Sequence, residues 1–539
     1  MIGAQRHESR QAPAASGEGR EHLLVLRGAA ALVVLLTAIG IPLRLVVAGQ
    51  SVFGDELSTY WIVTRHSLHG VLSLLYSTAS IHHAEITPPL YFVASWLTTR
   101  LGDSAELLRT PSLLAGVAMI PAVYLLGLRT VGRRAALVAT ALTTLAPFTI
   151  YYSTEARAYG VLMLLVVCGA LAMLLALDTR RTRWWVAYAV CSCAALYTHY
   201  TCAFVLAVQI LWSWWAHPEA RRPLLLANLG AALGLVPWIP GLINDYTSPT
   251  VQILSALSPW GLRFVPGILA HWATGYPYVG YLGLSQLPGT LALVLLGLAV
   301  AATLVGLADR LRREPPRSWR ARIGRRTVLV LALAAATPVG EALVSTVSTH
   351  IFGVRNLAAS WPAAVLCFAL LLTVGRPLIR IVAVGLAVAA FGIAADRMLV
   401  PAYGRPDYQA AAEFIDQSSR ARDVVIDETG EVSPGPLTSL DVALHQPRRV
   451  LRAGAPAEHN HPFGFSDPIV PLSEAVSEAV SAARGAPIIL VSAVTPRSAA
   501  IPSRVQPANP TLPPAYRLAS SRVYAGVLPI LVRVYAERA

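Results

Sequence analysis

The chain has 539 residues, of which 55% are hydrophobic and only 13% charged, and its mean hydropathy is +0.55. That balance excludes an ordinary soluble domain and a disordered tail, and it describes a polytopic membrane protein. The net charge of +14 is carried without a single lysine. Its arginines fall mainly in short stretches between apolar runs, which reads as a topology signal and not as a nucleic-acid face. The five cysteines (Cys168, Cys191, Cys193, Cys202 and Cys367) all lie inside apolar segments, so they spell neither a disulfide frame nor a zinc site.

Residues 1–21 are polar and Arg-containing and are read as a cytoplasmic tail, followed by a signal anchor over 23–48. A span needs about 20 apolar residues, and about eleven such runs are expected in all. After the first come 109–128, 135–152, 159–177, 184–199, 201–216, 223–243, 286–308, 327–348, 357–374 and 378–396. The turns holding Arg129, Arg133 and Arg134, Asp178 to Arg183, Arg221 and Arg222, and the basic loop Arg310 to Arg326 fall on one side, read as inside. Asp55, Glu155, His199 and Arg355 fall on the other, read as outside. Between the first two spans, 57–76 and 88–101 are too short or too polar to cross and are expected as helices lying along the outer surface. The segment 244–284 is a second outer segment.

From residue 398 onward the composition shifts, and an extracytoplasmic α/β domain is expected to run to 539. Helices are predicted at Pro406 to Arg420 and Ser473 to Arg484, buried strands at Asp423 to Asp427 and Ile488 to Ser492, and strand-like runs over Tyr516 to Tyr535. No internal repeat is evident, which disfavours a transporter built from inverted halves.

The chemistry is expected around Gly54-Asp55-Glu56, two adjacent carboxylates placed just where the first span leaves the bilayer. A carboxylate beside a low-dielectric wall makes a stronger base or ligand than one in bulk water. The bland reading is a helix cap, with Asp55 starting the helix that follows. Glu155, in the short loop after the third span, is a second outer acid. Arg157 and Arg355 lie outside against the charge bias. Glu341, inside a span, is costly unless paired.

Four stretches taken in order carry a resemblance: Gly54-Asp55-Glu56; Thr87-Pro88-Pro89-Leu90-Tyr91; Arg109-Thr110-Pro111-Ser112-Leu113 with Arg129-Thr130-Val131-Gly132-Arg133-Arg134; and Ala146-Pro147-Phe148 through Glu155-Ala156-Arg157-Ala158-Tyr159. Weaker echoes are Tyr197-Thr198-His199-Tyr200 and Arg355-Asn356. Together they resemble the GT-C superfamily of polyprenyl-phosphate-sugar-dependent glycosyltransferases, in the protein mannosyltransferase and aminoarabinose transferase branch.

The resemblance implies a multi-pass enzyme of the plasma or inner membrane with an extracytoplasmic site. It would move a mannose- or arabinose-type sugar from a polyprenyl-monophosphate donor to a glycan, lipid or protein acceptor, with inversion. Membrane lipid is a partner and nucleic acid is not. The expected catalytic acids are Asp55, as base, with Glu56 and Glu155; a divalent metal at Glu56 is an open option. Arg157, Tyr159, His82, His83, His199, Tyr200, Arg355 and Asn356 are the expected substrate-binding set. The rival classes are a multi-span lipid or solute transporter, whose polar residues would gather at midplane, and a non-catalytic envelope scaffold.

Overall fold

The computed structural model describes residues 16–76, 85–248, 251, 260–275, 284–313, 324–420, 423–429, 437–454, 470–494 and 510–537. His82, His83 and most of the basic loop after Arg313 lie outside these. A helical bundle fills the first three quarters of the chain. Its long helices are α1 (Ser16–Ala48), α5 (Ala105–Thr130), α6 (Arg133–Leu145) with α7 (Pro147–Ser153), α8 (Tyr159–Thr179), α9 (Thr182–Leu196), α10 (Cys202–Ala216), α11 (Arg221–Leu235) with α12 (Ile239–Thr247), α14 (Thr290–Arg313), α15 (Arg325–Val347), α16 (Trp361–Leu372) and α17 (Pro377–Met398). Each expected span is therefore helical. Among the described residues seven helices are long and apolar enough to cross a membrane singly, and α6 with α7 adds an eighth, bent by 59°. The outward faces carry Leu35, Leu226, Leu298 and Ile381 exposed, as a lipid-facing surface requires. Three short helices, α2 (Glu56–Arg65), α3 (Leu68–Tyr76) and α4 (Leu90–Thr98), occupy the segment expected to lie along the surface, and α13 (Val265–Thr274) occupies the second.

The bend between α6 and α7 has a local cause. Pro147 opens α7 without an N–H to offer, so carbonyls at the end of α6 are left without helical partners. Arg44 of α1, fully buried, supplies the missing donors: its guanidinium reaches the carbonyls of Thr143 at 3.2 Å and Thr144 at 3.4 Å and the Ser153 hydroxyl at 3.1 Å. The bend brings α7 hard against α5, where Gly116 meets Ser153. A Cβ at Gly116 would stand 1.9 Å from the Ser153 Oγ. Gly116→Ala is accordingly expected to destabilise the bundle by about 1–3 kcal/mol through overpacking, read as a lower melting temperature of the purified protein.

Asp178, at the end of α8, pairs with Arg129 from the last turn of α5 at 3.0 Å and also with Arg326 at the start of α15. These turns, read as one side from their charge, do share one end of the bundle. The head with Asp55 is the other end.

Residues beyond α17 form the smaller α/β unit. Helices α18 (Tyr408–Ser418), α19 (Ser439–Ala443) and α20 (Leu472–Ala483) flank a five-stranded sheet ordered β2-β1-β3-β5-β4. Strands β1 (Val424–Asp427), β2 (Val450–Arg452) and β3 (Ile488–Ala493) are parallel; β4 (Tyr516–Tyr524) and β5 (Ile530–Glu537) add an antiparallel hairpin. Buried on both faces, β1 and β3 read as continuous apolar runs, which is why the sequence marks them. Strand β2 and helix α19 are too short to carry such a pattern and were not expected. The unit is seated on the α1–α2 connection: Phe53 stacks on Tyr408 with ring centroids 6.4 Å apart, and the Gln409 N–H donates to the Ser51 hydroxyl at 3.1 Å.

Candidate active site

The segment 50–56 runs from the end of α1 into α2, and its turn at Gly54 takes a positive φ of 64° that favours glycine there. The two carboxylates that follow have opposite surroundings. Glu56 points inward and is 1% exposed. Arg109 of α5 grips it through Nε at 2.8 Å and Nη2 at 2.5 Å, and the remaining donors of Arg109 collect the carbonyls of Ala48, Gln50 and Ser51 at the end of α1. Arg405, which leads into the α/β unit, adds a guanidinium 3.3 Å from Glu56, and the Ala156 N–H donates to the same carboxylate at 2.7 Å. Burial would raise the Glu56 carboxyl, but Arg109 and Arg405 outweigh it and hold it below the usual range.

Glu56, expected among the catalytic acids as a residue that could align Asp55, bind a divalent ion or contact the sugar, has its oxygens engaged by arginines and backbone N–H groups and is buried. Among the described residues no group of three or more His, Cys, Asp or Glu side chains gathers as an ion site.

Asp55 points the other way. It stands at the cap position of α2 but makes no side-chain cap hydrogen bond, so the bland reading does not describe it. Its carboxylate instead forms an ion pair with Arg355, from the turn between α15 and α16. Burial pushes Asp55 up, yet Arg355 and then Arg157 prevail and hold it below its ordinary value.

A third pair was missed. Glu85 accepts from both terminal nitrogens of Arg157, at 2.6 and 3.0 Å, and from the Thr87 N–H at 3.1 Å; Arg157 also reaches the Thr87 hydroxyl at 3.2 Å. The available signal was that Glu85 is the sole carboxylate between Glu56 and Asp103, two residues ahead of Thr87-Pro88-Pro89.

Glu155 is buried in the same cluster but has no guanidinium partner. One oxygen accepts from the Tyr151 hydroxyl at 3.1 Å, and the other has no hydrogen-bond partner among the described residues. Burial, and then the charges of Glu56 and Asp55, push its carboxyl up to about 7. A carboxyl raised in the folded state binds a proton that the unfolded chain has already released. Folding stability therefore falls as pH rises from the ordinary glutamate range toward 7 and levels off above it. Thermal melts should show that slope for the wild type and a flatter one for Glu155→Gln over the same interval.

The other expected binders divide. Tyr159, first residue of α8, packs against Tyr152 and the His199 ring, whose centroid lies 5.3 Å away. His199 receives the Thr201 N–H on Nδ1 at 3.3 Å, and burial with the nearby Arg355 and Arg157 drops it to about 3, so it stays neutral. Tyr200 donates to Asp245 and accepts from the Trp238 indole at 2.9 Å, bracing α12 against the α9–α10 turn. Asn356, next to Arg355, spans its own turn and donates to the Ile351 carbonyl at 2.6 Å. Glu341 lies fully buried in α15, facing the Gly353 backbone.

Residues 86–243 match the family described as dolichyl-phosphate-mannose-protein mannosyltransferase. The match bears out, over that stretch, the resemblance carried by the sequence motifs. No curated protein matches the chain. Among solved structures, ArnT from Cupriavidus metallidurans bound to undecaprenyl phosphate is 15% identical with a TM-score of 0.46, covering 93% of this chain and 97% of that one. The archaeal oligosaccharyltransferase AglB from Archaeoglobus fulgidus, in complex with an inhibitory peptide and a dolichol-phosphate, is 13% identical with a TM-score of 0.48, covering 86% and 69%.

Proposed function

We infer that this chain, matching the protein-mannosyltransferase family over 86–243, is a multi-pass GT-C glycosyltransferase that moves a mannose- or arabinose-type sugar from a polyprenyl-phosphate donor to a hydroxyl of a glycan, lipid or protein acceptor. The observation that carries the reading is the gathering of Asp55, Glu56, Glu85 and Glu155 with Arg109, Arg157, Arg355 and Arg405 at one end of an apolar bundle. A transporter has no use for such a cluster away from midplane. The site and the α/β unit are proposed to face away from the cytoplasm, as the arginine distribution indicates.

In the proposed step the acceptor oxygen attacks the anomeric carbon and its proton passes to Asp55. The bond from that carbon to the phosphate oxygen breaks, and its electron pair leaves with the lipid phosphate. Arg355 and Arg157 oppose the charge that accumulates there. A single displacement inverts the anomeric centre. Glu155, carrying its proton up to about pH 7, adds no charge to the centre below that pH and leaves Asp55 as the carboxylate open to the acceptor. Glu56 is proposed as a positioning residue that fixes the start of α2 and so aims Asp55.

The test is to incubate the purified protein in lipid with a panel of radiolabelled polyprenyl-phosphate sugars. Consumption of one label, with release of polyprenyl phosphate, is the expected result; a panel spanning hexoses and pentoses left untouched sinks the reading.

A further inference from the structure

The ion pair between Asp55 and Arg355 differs from its neighbours. In the Glu56–Arg109 and Glu85–Arg157 pairs every side chain is a tenth exposed or less, and each pair is reinforced by further hydrogen bonds. Asp55 and Arg355 are 35% and 38% exposed, joined through one nitrogen and one carboxylate oxygen. Their backbones are nonetheless fixed. Glu56 anchors the start of α2, and the Arg355 turn is pinned to α15 by the Ser345 hydroxyl, which accepts the Ile351 and Phe352 N–H groups at 3.0 Å each. Two side chains on firm supports thus share a single contact that solvent can reach, and such a contact is cheap to exchange. A phosphate offers Arg355 what this arrangement does not, two parallel charge-assisted hydrogen bonds to the planar fork.

Charge favours the exchange too. Asp55, Glu56 and Glu85 face Arg109, Arg157, Arg355 and Arg405, so the cluster carries a surplus cation whenever Glu155 holds its proton.

We propose that Asp55 and the donor phosphate are rivals for the Arg355 guanidinium: the phosphate takes Arg355 from the carboxylate, and Asp55 gains proton affinity only where a donor is bound. The proposal rests on the polyprenyl-phosphate reading above. It ties activation of the acceptor to the presence of the leaving group, because Arg355, one of the two cations that depress the basicity of Asp55, is withdrawn by the donor itself.

The test is a double-mutant cycle on binding alone, with undecaprenyl monophosphate as probe and the full-length protein in lipid nanodiscs. Asp55→Asn should tighten binding about two- to fivefold, since an exposed pair of this kind contributes little. Arg355→Met should weaken it, and in that background Asp55→Asn should no longer tighten it. Arg355→Lys, which keeps the charge, guards against misfolding: there Asp55→Asn must tighten binding again. Equal tightening with and without a cation at 355 means a general field effect and overturns the proposal, as does no tightening in the wild-type background. If the wild type does not bind the probe at all, the lipid-phosphate reading fails and this proposal falls with it.

Discussion

Asp55→Asn is expected to lower sugar transfer by about 100-fold to 10,000-fold, the range a positioned general base supplies, while the protein still inserts and melts as the wild type does. Stability is spared for a structural reason. The side chain is a third exposed and makes no cap hydrogen bond, so its loss leaves no buried donor stranded. Arg355 keeps its solvent contact. Turnover has no such reserve, since Glu85 and Glu56 are bound to arginines and Glu155 retains its proton up to about pH 7. The measurement is initial rate on the donor that the radiolabel screen identifies, beside a thermal melt of the same preparation. Full turnover by the variant would remove Asp55 from the mechanism.

Glu56→Ala, one residue away, should do the reverse in kind. It strips the counter-charge from two guanidinium groups that are fully buried, and breaking a buried pair from one side costs about 3–5 kcal/mol. Poor membrane yield and a lowered melting temperature are the expected outcome, with activity lost as a consequence. Arg109 would be left holding only the carbonyls at the end of α1. Glu56→Gln keeps acceptors for part of the network and should fall between Ala and the wild type. If Glu56→Ala melted as the wild type does, the assignment of Glu56 as a structural anchor would be wrong.

Adjacent acids with opposite duties show where sequence reading reaches its limit. Period and hydropathy locate spans well, because bilayer thickness dictates both; the expected helices from 109 to 396 are all present. The bend at Pro147 is legible as a proline, but its partner Arg44 is not, since a guanidinium inside an apolar helix gives no hint of which carbonyls it will cap. Asp55, Glu155, Arg157 and Arg355 were named from their side of the membrane, and topology brings them together. Which acid of Asp55-Glu56 faces inward depends on Arg109 and Arg405, contributed by distant parts of the chain. Pairing across such distances leaves no periodic trace. Glu85 escaped because its meaning comes from Arg157, 72 residues further along the chain.

Arg405 also sets an order of assembly. Its guanidinium lies over the Tyr151 ring at 4.9 Å and donates to the Thr154 carbonyl at 2.9 Å, in the same short loop as Glu155. A ribosome delivers that arginine only after every helix of the bundle has been made. Synthesis would therefore leave the centre unfinished until the last helix had entered the bilayer and its trailing segment had come to rest on the head. A chain truncated before residue 405 would yield a bundle in which Glu56 has lost its second guanidinium and the Thr154 carbonyl its donor.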